Sequence, residues 1–156
     1  MGYISDLRKY VGHAPLIHAA ASVIVEREDG RILLQKRTDN GMWGYAGGAV
    51  ELFESVEDTA RRELFEETGL TALSLELFGV FSGEEQHYIY PNGDEVCTID
   101  IVYICREWSG ELKPQASEVS ELRFVDISDM PVLSPPIRYP MKKYTEYRNG
   151  ERNAFT

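Results

Sequence analysis

The sequence predicts a single mixed α/β domain, and three observations carry that reading. Strand-like runs stand on both sides of one well-capped helix, as a sheet covered by helices requires. The 156 residues match one ordinary domain and contain no internal repeat, low-complexity tract or interdomain linker. Hydrophobic residues make up 43% of the chain, enough for a core without disulfides or a structural metal. The domain is expected over residues 1–148, with 149–156 as a polar, frayed tail.

Taken in order, Ile4, Leu7 and Val11 share one stripe and predict a short amphipathic helix. Leu16 to Glu26 is rich in Ala, Val and Ile and reads as a buried strand. Asp29-Gly30 is a turn signal, so Arg31 to Arg37 is expected as the returning strand of a hairpin. A Gly-rich connection from Thr38 to Gly48 follows. Ser55 is a natural N-cap and Gly69 a natural C′ residue for a helix through Thr68. Leu73 to Ser82 and His87 to Tyr90 read as strands, and Pro91-Asn92-Gly93-Asp94 turns the chain into a long strand, Glu95 to Arg106. After breaks at Ser109-Gly110 and Lys113-Pro114, Glu121 to Val125 is a short strand. Pro135-Pro136 opens a last helix to about Tyr147, which Pro140 is expected to kink or delay.

Charge narrows the function. Sixteen basic residues against 26 acidic ones give a net charge of −10. That argues against a phosphate-neutralising surface for nucleic acid and against an anionic membrane. Either the partner is not anionic, or something other than side chains supplies positive charge. The apolar runs fall well short of the roughly 20 residues that span a bilayer. No secretory h-region opens the chain, and Asp6 stands where a myristoylation start needs Ser or Thr. Cys97 and Cys105 lie on one expected strand, on the order of 26 Å apart, too far to pair with each other. A cytoplasmic protein with two unpaired thiols is expected.

The informative stretch is Gly48 to Leu70. On a helical wheel starting at Val56, Ala60 and Leu64 follow at about 40° and 80°. Glu63, Glu66 and Glu67 fall at about 340°, 280° and 20°, on the edge of that apolar stripe. A solvated acidic face would put carboxylates opposite the stripe with basic residues at i+4, whereas Arg61 and Arg62 point to other sides. Partly buried like charges raise one another's pKa and destabilise the fold unless a cation neutralises them. Magnesium suits carboxylates that share it with substrate phosphates. Spacing alone leaves metal site and acidic face both open.

Residue identities extend the reading. Gly48, five residues, Glu54, seven residues, then Arg62-Glu63-Leu64-Phe65-Glu66-Glu67-Thr68-Gly69-Leu70 matches the Nudix box at every fixed position. The chain therefore resembles the Nudix hydrolase family, and the elements around the box extend the resemblance over nearly the whole chain. The resemblance implies an α/β/α sandwich around a mixed sheet, with the box as loop–helix–loop. It implies that Glu63, Glu66 and Glu67 bind magnesium or manganese, with the Gly47 carbonyl as a further ligand. It implies that Glu54 and Arg62 form the ion pair holding the box loop to its helix.

The implied reaction is attack of water on the diphosphate of a nucleoside diphosphate linked to another group. Metal ions make such a polyanion acceptable to an acidic site. Glu63 or Glu67 is the expected catalytic base, with Glu118 or Glu84 as loop-borne alternatives. Arg37, Tyr45, Tyr88 and Glu118 are candidate substrate contacts. The sequence departs from the family in reading Tyr45-Ala46 where Leu-Pro is common, which loosens the turn but keeps Gly47 and Gly48. Glu85 stands where ADP-ribose pyrophosphatases tend to carry proline, and Tyr88 where diadenosine polyphosphate hydrolases tend to carry tyrosine. The expected partner is a small-molecule nucleotide derivative, with no nucleic acid and no membrane; many family members dimerise, and a homodimer stays open. The alternative is a Nudix-fold sensor that binds a nucleotide without turnover. Between Glu51 and Glu67 seven acidic and two basic residues concentrate half of the net charge beside the expected site.

Overall fold

The computed structural model describes residues 2–150, so most of the expected frayed tail lies outside the described residues. Helix α1 (Tyr3–Val11) precedes strands β1 (Leu16–Val25), β2 (Ile32–Arg37), β3 (Trp43–Gly44) and β4 (Ala46–Ala49). Helix α2 (Val56–Thr68) follows, then β5 (Thr71–Ala72), β6 (Glu76–Phe81), β7 (His87–Ile89), β8 (Glu95–Cys105), β9 (Trp108–Ser109), β10 (Val119–Val125) and α3 (Pro135–Arg148). A mixed sheet runs β4-β1-β8-β6, with β7 also on β8; β1 and β8 are parallel and the other pairs antiparallel. A second sheet runs β10-β2-β3, and β5 pairs with β9.

The alternation of β1 and β8 builds two cores on opposite faces of the mixed sheet. Ala21, Val23 and Val25 with Tyr103 and Cys105 pack against Ala60 and Leu64 of α2. Ile24 with Val102 and Ile104 packs against Phe78, Met141 and Tyr144, the last two from α3. The α/β/α sandwich around a mixed sheet is the observed fold. Helix α2 is capped by the Ser55 hydroxyl, which accepts from the Asp58 N–H at 3.1 Å, and ends at Gly69 in the left-handed region (φ 81°).

Four expectations change. The turn at Gly30 forms (φ 85°), and the Arg27 N–H donates to the Arg31 carbonyl at 2.8 Å, yet β1 and β2 are not a hairpin. Both edges of β1 are taken by β4 and β8, so past a single Glu26–Ile32 bridge β2 leaves for the second sheet. The Gly-rich connection contains β3 and β4, and the run expected as one strand from Leu73 begins at Glu76. Helix α3 starts at Pro135 with Pro140 buried inside it, so Pro140 does not delay it. It sits near the N-terminus, where its missing N–H costs one intrahelical bond.

Candidate active site

Two adjacent glycines organise the site. On β4, Gly48 pairs with Ala21 and Gly47 with Ser22, so they face opposite sides of the sheet. A Cβ on Gly48 would lie 2.5 Å from the Glu63 carboxyl on α2. A Cβ on Gly47 would lie 2.2 Å from the Ser22 Oγ on the other face. The missing side chains let α2 press its carboxylates onto one side of this strand while a cavity opens on the other.

On the α2 side, Glu67 is buried at 5% exposure, and Gln35 Nε2 donates to its Oε2. Burial pushes the Glu67 pKa well above the usual carboxylate range. The Gln35 amide opposes this, and the neighbouring Glu63 carboxyl adds to it. Arg62 does not point away from the acidic arc as expected. Its Nε donates to Glu54 Oε2 at 2.7 Å, and its Nη1 reaches Glu63 Oε1 at 2.7 Å and Glu66 Oε2 at 3.3 Å. The long side chain folds back over its own helix, becoming the cation for three carboxylates. The Arg62 guanidinium holds the Glu54 pKa at about 2, and the Arg62 Nη2 also donates to the Ala49 carbonyl at 3.2 Å. The end of β4, the box loop and α2 are thereby tied together. Among the described residues, no three His, Cys, Asp or Glu side chains are gathered around one point.

Across β4 lies a cavity of about 290 Å³ walled by β1, β2, β8, α1 and the start of α3. Gly47, Gly48 and Gln35 line it, so the cavity and the carboxylate cluster share a wall. The inward face of β1 and β8, which is apolar at Ile24, Val102 and Ile104, becomes polar here at Ser22, His18, Thr98 and Asp100. Asp100 is buried and accepts from Ser22 Oγ at 2.7 Å and Tyr45 OH at 2.9 Å. Burial raises its pKa to about 6 against the pull of these two hydroxyls.

Of the candidate substrate contacts, Arg37, Tyr45 and Tyr88 line the cavity and Glu118 does not. Glu118 is exposed ahead of β10, its carbonyl accepting from the Thr38 N–H at 3.0 Å. The Arg37 fork is closed on Asp39 at 2.8 and 2.7 Å and lies over the Tyr90 ring. Tyr88 meets Tyr90 edge-on at 4.9 Å and accepts from Asn40 Nδ2 at 3.3 Å. Sequence reasoning missed Gln35, Asp100 and Gln86. Asp100 carries a legible signal, since it interrupts the inward alternation Val96, Thr98, Val102, Ile104 with a carboxyl. Gln86 sits in a short turn between two exposed acids and a strand, and nothing local marks it.

The NUDIX domain profile matches residues 16–147, leaving α1 outside. The chain is 36% identical over 150 residues to an ADP-ribose pyrophosphatase of Methanocaldococcus jannaschii, covering 93% of this chain and 82% of that one. It is 30% identical over 124 residues to the NAD-capped RNA hydrolase NudC of Vibrio parahaemolyticus, matching 79% of its own length and 44% of that longer protein. The crystal structure of a MutT NUDIX hydrolase from Burkholderia pseudomallei superposes with a TM-score of 0.69 at 27% identity, covering 81% of this chain and 97% of that one. The chain belongs to the NUDIX family and is a pyrophosphohydrolase.

Proposed function

We propose that the chain hydrolyses ADP-ribose, or a close relative in which a nucleoside diphosphate is linked to a second group. The shared glycine wall carries this reading: it sets a nucleotide-sized cavity directly behind a cluster of oxygen donors. The similarity to an ADP-ribose pyrophosphatase, over most of both chains, points to the substrate.

Magnesium or manganese would draw on a donor set that is not gathered around one point while Arg62 holds two of its carboxylates. Glu63, Glu66 and Glu67 stand at i, i+3 and i+4 on one helix, and the bare backbone at Gly47 offers its carbonyl. Glu63 and Glu66 are now held by Arg62, so a bound cation competes with one guanidinium, which keeps Glu54 as its partner. When bound, such an ion would neutralise the diphosphate and lower the pKa of an attacking water. Glu67, whose proton affinity is raised by burial, is the proton acceptor, with Glu63 beside it as the second candidate. Glu54 and Arg62 keep the box loop on its helix, and Arg37, Tyr45 and Tyr88 shape the substrate's surroundings. The partner is a small-molecule nucleotide and the setting cytoplasmic. Among the described residues, no helix is long and apolar enough to cross a membrane.

A panel of ADP-ribose, dinucleoside polyphosphates, nucleotide sugars and oxidised nucleoside triphosphates, each with magnesium, tests the reading. ADP-ribose is expected to be cleaved fastest, to AMP and ribose 5-phosphate. Tight nucleotide binding without turnover of any member would replace it with the sensor reading.

A further inference from the structure

The cavity contains a group that the hydrolytic reading does not use. Gln86 is 1% exposed, and its Oε1 has no hydrogen-bond partner among the described residues. Gln86 Oε1 is therefore a buried acceptor at the cavity wall to which no protein group among the described residues donates. The surroundings are poor in free positive charge. Arg37 is closed on Asp39, and the terminal nitrogens of Arg8 hold the carbonyls of Gly12, Ala14 and Glu95, leaving only its buried Nε, 3.7 Å from Asp94, without a hydrogen-bond partner among the described residues. A phosphate finds little to bind here, whereas an uncharged, flat, hydrogen-bonding group does. The rings of Tyr88 and Tyr90 beside Gln86 offer such a group an aromatic wall.

We propose that this cavity is the base subsite and that Gln86 is its specificity-determining residue, reading a base edge that carries an amino donor beside a ring-nitrogen acceptor. A primary amide is the complement of that pair, and adenine presents it at N6 and N7. The proposal rests on the nucleotide reading above and adds which half of the substrate enters the cavity and what recognises it. Placing the base here leaves the diphosphate to pass the glycine wall towards Glu63 and Glu67. Gln86 Oε1 gains a donor when the base arrives.

The test is calorimetric binding of AMP and of purine riboside 5′-monophosphate, which lacks only the 6-amino group, to the wild type and to Gln86→Leu, with magnesium present. Neither ligand has a diphosphate to cleave, so the result does not depend on turnover. The wild type should bind AMP roughly ten-fold more tightly, and Gln86→Leu should abolish the difference by weakening AMP alone. Gln86→Leu should unfold at the same temperature or higher, because an unpaired buried oxygen has been removed. A residue that merely holds the fold would lower the melting temperature and weaken both ligands equally. If Leu does not fold, Gln86→Met replaces it with the same expected outcome. Equal affinities in the wild type, a preference that survives in the variant, or no binding of either ligand would each overturn the proposal. Failure of the wild type to cleave ADP-ribose would instead remove the hydrolytic reading and leave this measurement interpretable.

Discussion

Glu67 and Asp100 are both buried carboxyls with raised proton affinity, and they lie on opposite sides of the same sheet. Asp100 sits on the rigid inward face of β8, with a hydroxyl donating to each oxygen. Glu67 sits on α2 with the Gln35 amide and the Gly47 N–H donating to it, and with another carboxyl against it. The first arrangement is what a buried acid needs in order to be structural; the second keeps a destabilising charge next to open chemistry. Burial alone therefore does not mark function in this protein. A second carboxyl pressed against the first does.

The two sides should respond differently to pH and to substitution. The largest effect is expected at Asp100. Unfolded, this carboxyl gives up its proton near 3.8, and folded, near 6, so between those values the folded state holds the extra proton. Stability should fall by up to about 3 kcal/mol as pH rises through that window and be flat on either side of it. Glu67 adds a slope of the same sign, so Asp100→Asn should flatten the profile of unfolding free energy against pH without removing it. An unchanged profile would mean that Asp100 is ionised in the fold throughout.

Next in size is Arg62→Ala, which strips Glu54, Glu63 and Glu66 of their shared cation. Glu54 and Glu63 are mostly buried, at 17% and 14% side-chain exposure, while Glu66 is half exposed. Denaturant unfolding should show a loss of about 2 kcal/mol, below the cost of a fully buried pair. Arg62→Lys should recover only part of it, because one ammonium cannot replace the fork.

The glycine pair separates the two sides within a single strand. Gly47→Ala drives a Cβ into Ser22 and the Ala21 carbonyl, 2.9 Å away, and should cost roughly 1–3 kcal/mol of stability. Gly48→Ala meets only the far end of the Glu63 side chain, which can swing aside. Thermal unfolding should show a loss of less than about 1 kcal/mol, while turnover falls at least roughly ten-fold as Glu63 is displaced. Equal stability losses in the two variants would contradict the placement of Glu63 against this strand.

The α2 side was the legible one, because a helix writes its geometry into the sequence at a fixed period. The helical period alone puts Glu63, Glu66 and Glu67 on one arc beside Ala60 and Leu64. The behaviour of Arg62 was not legible, since a backbone wheel places its Cα and not the end of a long flexible side chain. The cavity side is assembled from β1, β2, β8 and α1, which are distant in the chain, and its residues announce themselves only once the strands are in register. Ser22 stands across from Val102 on β8, whose next inward position is Asp100, and neither Ser22 nor Asp100 belongs to a local motif. The mistaken hairpin has the same origin: the turn at Gly30 is local and was read correctly, whereas the partners of β1 are set by the sheet.

Whether the carboxylates behind Gly48 cleave a diphosphate is decided by comparing wild type with Glu67→Gln. ADP-ribose and magnesium are supplied in excess, products are separated by chromatography, and thermal unfolding is followed in parallel. AMP and ribose 5-phosphate are expected in equal amounts from the wild type, with a rate lower by roughly a hundred-fold or more in the variant and a melting temperature that does not fall. Full activity in Glu67→Gln, with the fold intact, would contradict that role for the carboxylates.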